Sequence, residues 1–298
     1  MINDLAKSKK YSEISLFADD FKIYKVINDI NDQLQLQCDL YQIQVWAKEN
    51  CFEYNTSKSA VTSFLKHKFV EYSYLLNDQV LVHVNSIKDL GIYFDNTFTF
   101  EKHIEFITNK AFRKIGFNQR FSKNFKGPSV YLALFKTLVK PALTHASEIW
   151  SPTNNTLCYK IEKTQNRFLK SYSFRIGSPI SLDNHNYTDP LQLTNLLTLE
   201  STCKYQDVLF LYKIVNLLIH SSELLGLLSW HVRDRLLTQN YKTFNIDSGP
   251  NEFMHRNILN RANKLVNEQL NEVDLNLIRI SEFKKLLKDI IFSYRTRN

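Results

Sequence analysis

The sequence predicts an α+β chain, with strand pairs around one helix over residues 1–95 and helices from there on. Three observations predict it. Short apolar runs rich in β-branched and aromatic residues, separated by small polar steps, crowd the first third. Beyond residue 95 apolar residues recur at three- and four-residue spacing instead. Positive charge gathers at the start of that helical part. At ~100–200 residues per domain, 298 residues favour more than one unit, each able to bury a core. Apolar residues make up 44% and charged residues 23%, with six Gly and six Pro, which excludes low-complexity and collagen-like chains.

The elements follow in order. Ile14–Phe17 and Phe21–Ile27 are strand-like runs, and Ala18-Asp19-Asp20 between them is a hairpin tip. A helix over about Asn31–Glu49 turns Leu36, Leu40, Ile43 and Ala47 inward. Phe52–Asn55 and Ala60–Leu65 are strand candidates flanking Ser57-Lys58. Tyr72–Leu76 and Val80–Val84 form a second hairpin around Asn77-Asp78, and Ile87–Phe94, carrying Leu90-Gly91-Ile92, is the last strand. These suggest a sheet covered by helices on one face. Phe100, Ile104, Ile107, Ala111 and Ile115 then line a helix with Thr99 as N-cap. Gly127-Pro128 opens a second helix, which Pro141 kinks or ends. Asn155–Phe174 is a third, with Leu157, Ile161, Phe168 and Tyr172 on its apolar face. Gly177–Tyr187 is the best linker candidate. Asp189-Pro190 starts another helix. Val208–Ile219, apolar nearly all round, is a buried central helix, and residues 256–298 are mixed-charge helix. The regions are thus 1–95, 96–178 and 179–298.

The charge is unevenly placed. Between Lys102 and Ser178 fourteen Lys and Arg stand against Glu105, Glu148 and Glu162, so this segment carries +11 while the whole chain carries +8. Lys102, Lys110, Arg113, Lys114 and Arg120 belong to the first helix, and Lys160, Lys163, Arg167 and Lys170 follow one another along one face of the third. A solvated helix face is the plain reading of one such ridge. Solvated faces usually mix signs for pairing between successive turns, however, and three consecutive helices with so few acids suit a phosphate backbone.

Asp19 and Asp20 carry the opposite signal. Neighbouring carboxylates repel, and a hard divalent ion removes that cost, since Mg²⁺ takes one or two carboxylates together with substrate phosphates. Asp is equally at home in a solvated turn, but strands on both sides put this pair at a sheet surface. Cys38, Cys51, Cys158 and Cys203 lie far apart without a CxxC pair, against a disulfide framework or a zinc knuckle. His185, His220, His231 and His255 have no tetrahedral zinc spacing, and Trp46 and Trp150 suit core positions. Residues 1–10 hold no apolar signal core, and no apolar run is long enough to span a bilayer. An intracellular, soluble protein without a membrane partner is expected, in nucleus or cytoplasm.

Leu16-Phe17-Ala18-Asp19-Asp20 resembles the F/Y-x-D-D motif of reverse transcriptases, and its surroundings resemble those of non-LTR retrotransposons, near the jockey type. Ile2-Asn3-Asp4-Leu5 is similar to the segment leading into that motif, and Phe52–Phe64, with Asn55 and Lys58, to the palm motif after it. Lys88–Asp95, with Leu90, Gly91 and Ile92, resembles the primer grip. Phe100–Ile104 onward resembles the thumb, Ala146–Pro152 a marker within it, and Phe210–Lys213 the helical region near the end of such polyproteins. The resemblance implies a partial palm, an all-α thumb and a helical tail, with RNA-directed DNA synthesis on an RNA template and DNA primer. It implies two Mg²⁺ or Mn²⁺ ions at a site that includes Asp19 and Asp20, Lys58 as acid for the departing pyrophosphate, and thumb cations on the duplex backbone. In the family a third carboxylate, the fingers and an endonuclease lie upstream, and only eighteen residues precede Asp19. The expectation is a carboxy-terminal fragment, inactive alone and partnered by an upstream portion of the same element; a non-catalytic nucleic-acid-binding module is the alternative.

Overall fold

Glu13–Phe17 (β1), whose side chains alternate between exposed and half-buried, pairs with Asp20–Tyr24 (β2) in a five-residue antiparallel ribbon, with Phe17 opposite Asp20. The computed structural model describes residues 2–64, 72–125, 127–177, 188–231, 242–246, 256–271 and 273–295. It divides into two units, Met1–Thr97 and Phe98–Asn298. The first carries short strands and one long helix; among the described residues the second is mostly helical, so the chain is mixed α and β with helix dominant.

In the first unit α1 (Ile30–Glu49) starts where the Asp29 carboxylate accepts the Asp32 amide at 3.0 Å. Leu40, Ile43 and Ala47 are buried, while Leu36 is half-buried. The remaining strands are brief: β3 (Ala60–Val61), β4 (Leu75–Leu76), β5 (Gln79–Val80), β6 (Val82–His83), β7 (Ser86–Asp89) and β8 (Ile92–Asp95). They pair as β3 with β6 in parallel, and β4 with β5 and β7 with β8 antiparallel. Among the described residues there is accordingly no continuous sheet, contrary to expectation; four two-stranded ribbons stand in its place.

Two strand assignments are corrected. Phe52–Asn55 is not a strand, because the end of α1 captures it. Cys51 adopts φ +56°, its amide donates to the Lys48 carbonyl, the Phe52 amide donates to the Ala47 carbonyl at 2.8 Å, and the Phe52 ring stacks on Trp46 at 5.6 Å. That is a Schellman ending with its apolar clasp. Leu90-Gly91 is not mid-strand either. Both residues have positive φ, +44° and +90°, and form the two-residue turn of the β7–β8 hairpin.

In the second unit α2 (Glu101–Phe121) buries Ile104, Ile107, Ala111 and Ile115. Its N-cap is Phe100, in the left-handed region, and not Thr99, whose hydroxyl accepts the Glu101 amide at 3.5 Å. Pro141 does not end the next helix. The chain runs from α3 (Pro128–Leu134) through a π-helical turn at Phe135–Val139 into α4 (Lys140–Thr144), and the wider turn absorbs the missing amide and the ring of Pro141. After α5 (Ser147–Trp150), α6 (Asn155–Arg175) lies beside α2 in the same direction and closes at Gly177, φ +74°. Phe168 of α6 is stacked on Phe135 of the π-helical turn at 3.8 Å.

Thr188–Thr194 (α7) leads to α8 (Leu199–Val215), which begins earlier and ends sooner than its apolar run predicts. Short α9 (Ser222–Gly226) precedes α10 (Ile258–Gln269) and α11 (Ile280–Arg295). Leu211, Tyr212, Ala262, Val266, Phe283 and Leu287 form the core where α8, α10 and α11 meet. Apart from Gly177 the predicted linker lies outside the described residues, as do Leu65, His185 and His255. Among the described residues no helix is long and apolar enough to cross a membrane.

Candidate nucleic-acid interface

The acidic hairpin is held from below. The buried Asp39 carboxylate on α1 accepts the amides of Lys10, Tyr11 and Ser12 at 2.7–2.8 Å and the Ser12 hydroxyl at 2.6 Å, fixing the chain just before β1. Burial disfavours its ionisation, but the Ser12 hydroxyl and the three amides outweigh burial and hold the carboxyl below the ordinary carboxylate value. Phe21 of β2 packs on Tyr54 at 5.2 Å, and the Tyr54 hydroxyl donates to the Ile43 carbonyl of α1 at 3.2 Å. Lys22, also on β2, pairs with Asp89 beside the Leu90-Gly91 turn, so the acidic hairpin and the proposed primer grip are tied to each other. Both partners are partly exposed, and such a pair contributes about 0–1 kcal/mol.

At the tip the turn residues are Ala18 and Asp19, and Asp20 opens β2. Ala18 takes φ +53°, a conformation that favours glycine. Both carboxylates are exposed, and among the described residues neither is engaged by a hydrogen bond or an ion pair. Two adjacent free carboxylates suit one hard divalent cation whose remaining ligands are water or phosphate oxygens. Among the described residues no group of three Asp, Glu, His or Cys assembles around them. Lys58 is exposed at the end of a single 3₁₀ turn, Thr56–Lys58. Of the proposed grip residues Leu90 and Gly91 are exposed, while Ile92 is buried.

The cations collect on α2 and α6. Lys160, Lys163, Arg167 and Lys170 are all exposed along α6. Its one acid, Glu162, is turned away, accepting the Glu200 amide at the start of α8 at 2.8 Å. On α2, Lys102, Lys110, Arg113 and Arg120 are exposed. Lys114 differs. Its ammonium is half-buried and donates to the Leu138 carbonyl in the π turn at 2.7 Å, and burial, with Lys110 nearby, lowers its pKa.

Where the ends of α2 and α6 meet there is a cleft of about 700 Å³ that includes Lys123, Phe125, Arg167, Lys170, Phe174 and Arg175 in its walls. Arg175 latches the two helices: its guanidinium donates to the Ser122 hydroxyl at 2.8 Å and the Gln119 carbonyl at 2.9 Å, and lies 4.3 Å over the Tyr131 ring. The Gln119 amide donates to the Ser171 hydroxyl across the same junction. Cations in the last turns of helices also neutralise the negative ends of their dipoles, which stabilises the pair whatever it binds. Lys123, Arg175, Phe125 and Phe174 were not singled out from sequence. Only the parallel packing of α2 and α6 brings them together.

The segment Ala146–Pro152 has an architectural part. Ser147 and Trp150 are buried, the Trp150 indole donates to the His145 carbonyl at 2.8 Å, and His103 packs edge-on against it at 5.2 Å. Burial, with a smaller push from His145, lowers the His103 imidazole to about 4.

Comparison with known proteins adds one relative. A Caenorhabditis elegans protein described as uncharacterized is 32% identical over 111 residues, which is 37% of this chain. The matched region spans about half, 54%, of that relative's length. No family profile matches the chain, and no solved structure does.

Proposed function

We propose that the chain is part of a reverse transcriptase of the non-LTR retrotransposon type, carrying its acidic palm hairpin and its thumb. The observation that carries the reading is the acidic hairpin itself. Asp19, in the two-residue turn, and Asp20, at the start of β2, have exposed and unengaged carboxylates, with the chain before β1 anchored by Asp39. Carboxylates so held are preorganised for a divalent ion, which when bound supplies charge neutralisation for phosphoryl transfer. Lys58 is the candidate proton donor to the leaving group by resemblance alone. The exposed cations of α2 and α6 grip the primer–template backbone, a contact that positions the duplex without reading its sequence.

A polymerase site of this kind takes a further carboxylate, so the chain by itself is expected not to extend oligo(dT) on oligo(rA) with Mg²⁺ or Mn²⁺. The test is Fe²⁺ in place of Mg²⁺, with peroxide and ascorbate, on the chain bound to an RNA–DNA primer–template. Metal-localised backbone cleavage is expected beside Asp19, and Asp19→Asn with Asp20→Asn should abolish it while leaving duplex binding intact or slightly tighter. Cleavage unaffected by the double substitution contradicts the metal site, and processive synthesis by the chain alone contradicts its expected inactivity. A second reading, a nucleic-acid-binding module without catalysis, is favoured by one observation: the ridge and the cleft lie wholly within residues 98–298.

A further inference from the structure

The outer face of the second half of α2 is not purely cationic. Phe117, Phe121 and Phe125 are 51%, 46% and 45% exposed. The Phe117 and Phe121 rings are stacked, 5.7 Å apart and 17° from parallel, and Phe125 continues the row at 5.5 Å. At about 100° per residue, Lys110, Arg113, Phe117, Arg120 and Phe121 fall within roughly 100° of helix surface, so rings and cations interleave. Phe125 also belongs to the α2–α6 cleft, together with Phe174, which is 76% exposed, and with Lys123 and Lys170.

Charge selects the occupant. A second copy docking through this face would bring like charges together, and an apolar partner would leave them unanswered. Free phosphate makes no use of rings. A partner that is both anionic and flat-faced satisfies both features, and duplex bases, stacked on each other, cannot reach the rings. We propose that Phe117, Phe121 and Phe125 form a stacking platform for an unpaired nucleic-acid strand, with Arg113, Arg120 and Lys123 on its phosphates and the α2–α6 cleft as its continuation. Such stacking tolerates any base sequence. This site goes beyond the duplex grip, with which it shares Arg113 and Arg120.

The test measures anisotropy of a labelled oligo(dT) of about 20 nucleotides, an abasic oligomer of equal length and a blunt duplex, all at the same low salt. Stacking on even one ring is expected to favour oligo(dT) over the abasic strand by about fivefold or more. Phe117→Ala with Phe121→Ala should remove that preference and leave abasic and duplex binding unchanged. Phe121→Trp should keep it and show indole quenching on addition of oligo(dT), which also reports a folded platform. Equal binding of oligo(dT) and abasic strand by the parent chain overturns the proposal. So does a preference that survives the double substitution, or self-association of the parent that the double substitution abolishes. Failure of the parent chain to bind the duplex, while it still prefers oligo(dT) to the abasic strand, counts against the duplex grip and supports the platform.

Discussion

At Cys51 a single side chain occupies a backbone conformation suited to glycine, and the Schellman ending of α1 depends on it. Cys51→Gly is expected to stabilise the first unit by about 0.5–1 kcal/mol in urea denaturation, provided the Phe52–Trp46 clasp stays closed. Asp39 works in the opposite direction. Its depressed carboxyl contributes stability that is present above the ordinary carboxylate pKa, about 3.9, and is lost as pH falls through the lower folded value. Asp39→Asn should therefore cost roughly 1.5–3 kcal/mol at neutral pH and flatten stability in that acid window. His103 acts at a higher pH. Buried neutral, with its pKa lowered from 6.5 to about 4, it favours the folded state above 6.5 and loses that contribution as pH falls toward 4. His103→Phe should flatten this limb of a stability–pH curve, by up to roughly 3 kcal/mol.

Helices were legible in the sequence because their apolar faces are long and periodic: Ile104, Ile107, Ala111 and Ile115 were assigned inward and are buried. The strands were less so. Phe52–Asn55 has strand composition, but the ending of α1 claims its first amide; Leu90 gives no hint of the positive φ that a turn demands there. The Asp hairpin could be read locally, since turn and strands are contiguous. Asp39, His103 and Asp207 could not, because each is met by residues remote in the chain. Asp207 of α8 receives Arg261 of α10 in a bidentate pair at 2.9 and 3.0 Å, and the same guanidinium reaches the Glu148 carbonyl of α5 at 2.9 Å. Burial pushes the Asp207 carboxyl up to about 6 against the pull of Arg261. Arg261→Met should cost about 3–5 kcal/mol by stranding a buried carboxylate, and adding Asp207→Leu should recover most of it, as read from urea midpoints. The aromatic row on α2 was overlooked because a phenylalanine on an amphipathic helix is ordinarily core. The available signal was that Phe117 and Phe121 share their face with Lys110, Arg113 and Arg120.

On the scale of the whole molecule, an excess of positive charge counted in the sequence is concentrated on exposed faces of two parallel helices, with the one acid of α6, Glu162, engaged by the Glu200 amide. The polymerase reading and the binding-module reading both require those faces to neutralise phosphates. The most direct measurement is the affinity for an RNA–DNA primer–template across a salt series, for the parent chain and for the Lys160→Ala, Lys163→Ala, Arg167→Ala, Lys170→Ala variant. Affinity is predicted to fall steeply with salt, with a log–log slope of about −0.9 per neutralised phosphate, and the variant to bind more weakly with a slope smaller by up to about 3–4. A variant that matches the parent in both affinity and slope would contradict the duplex grip.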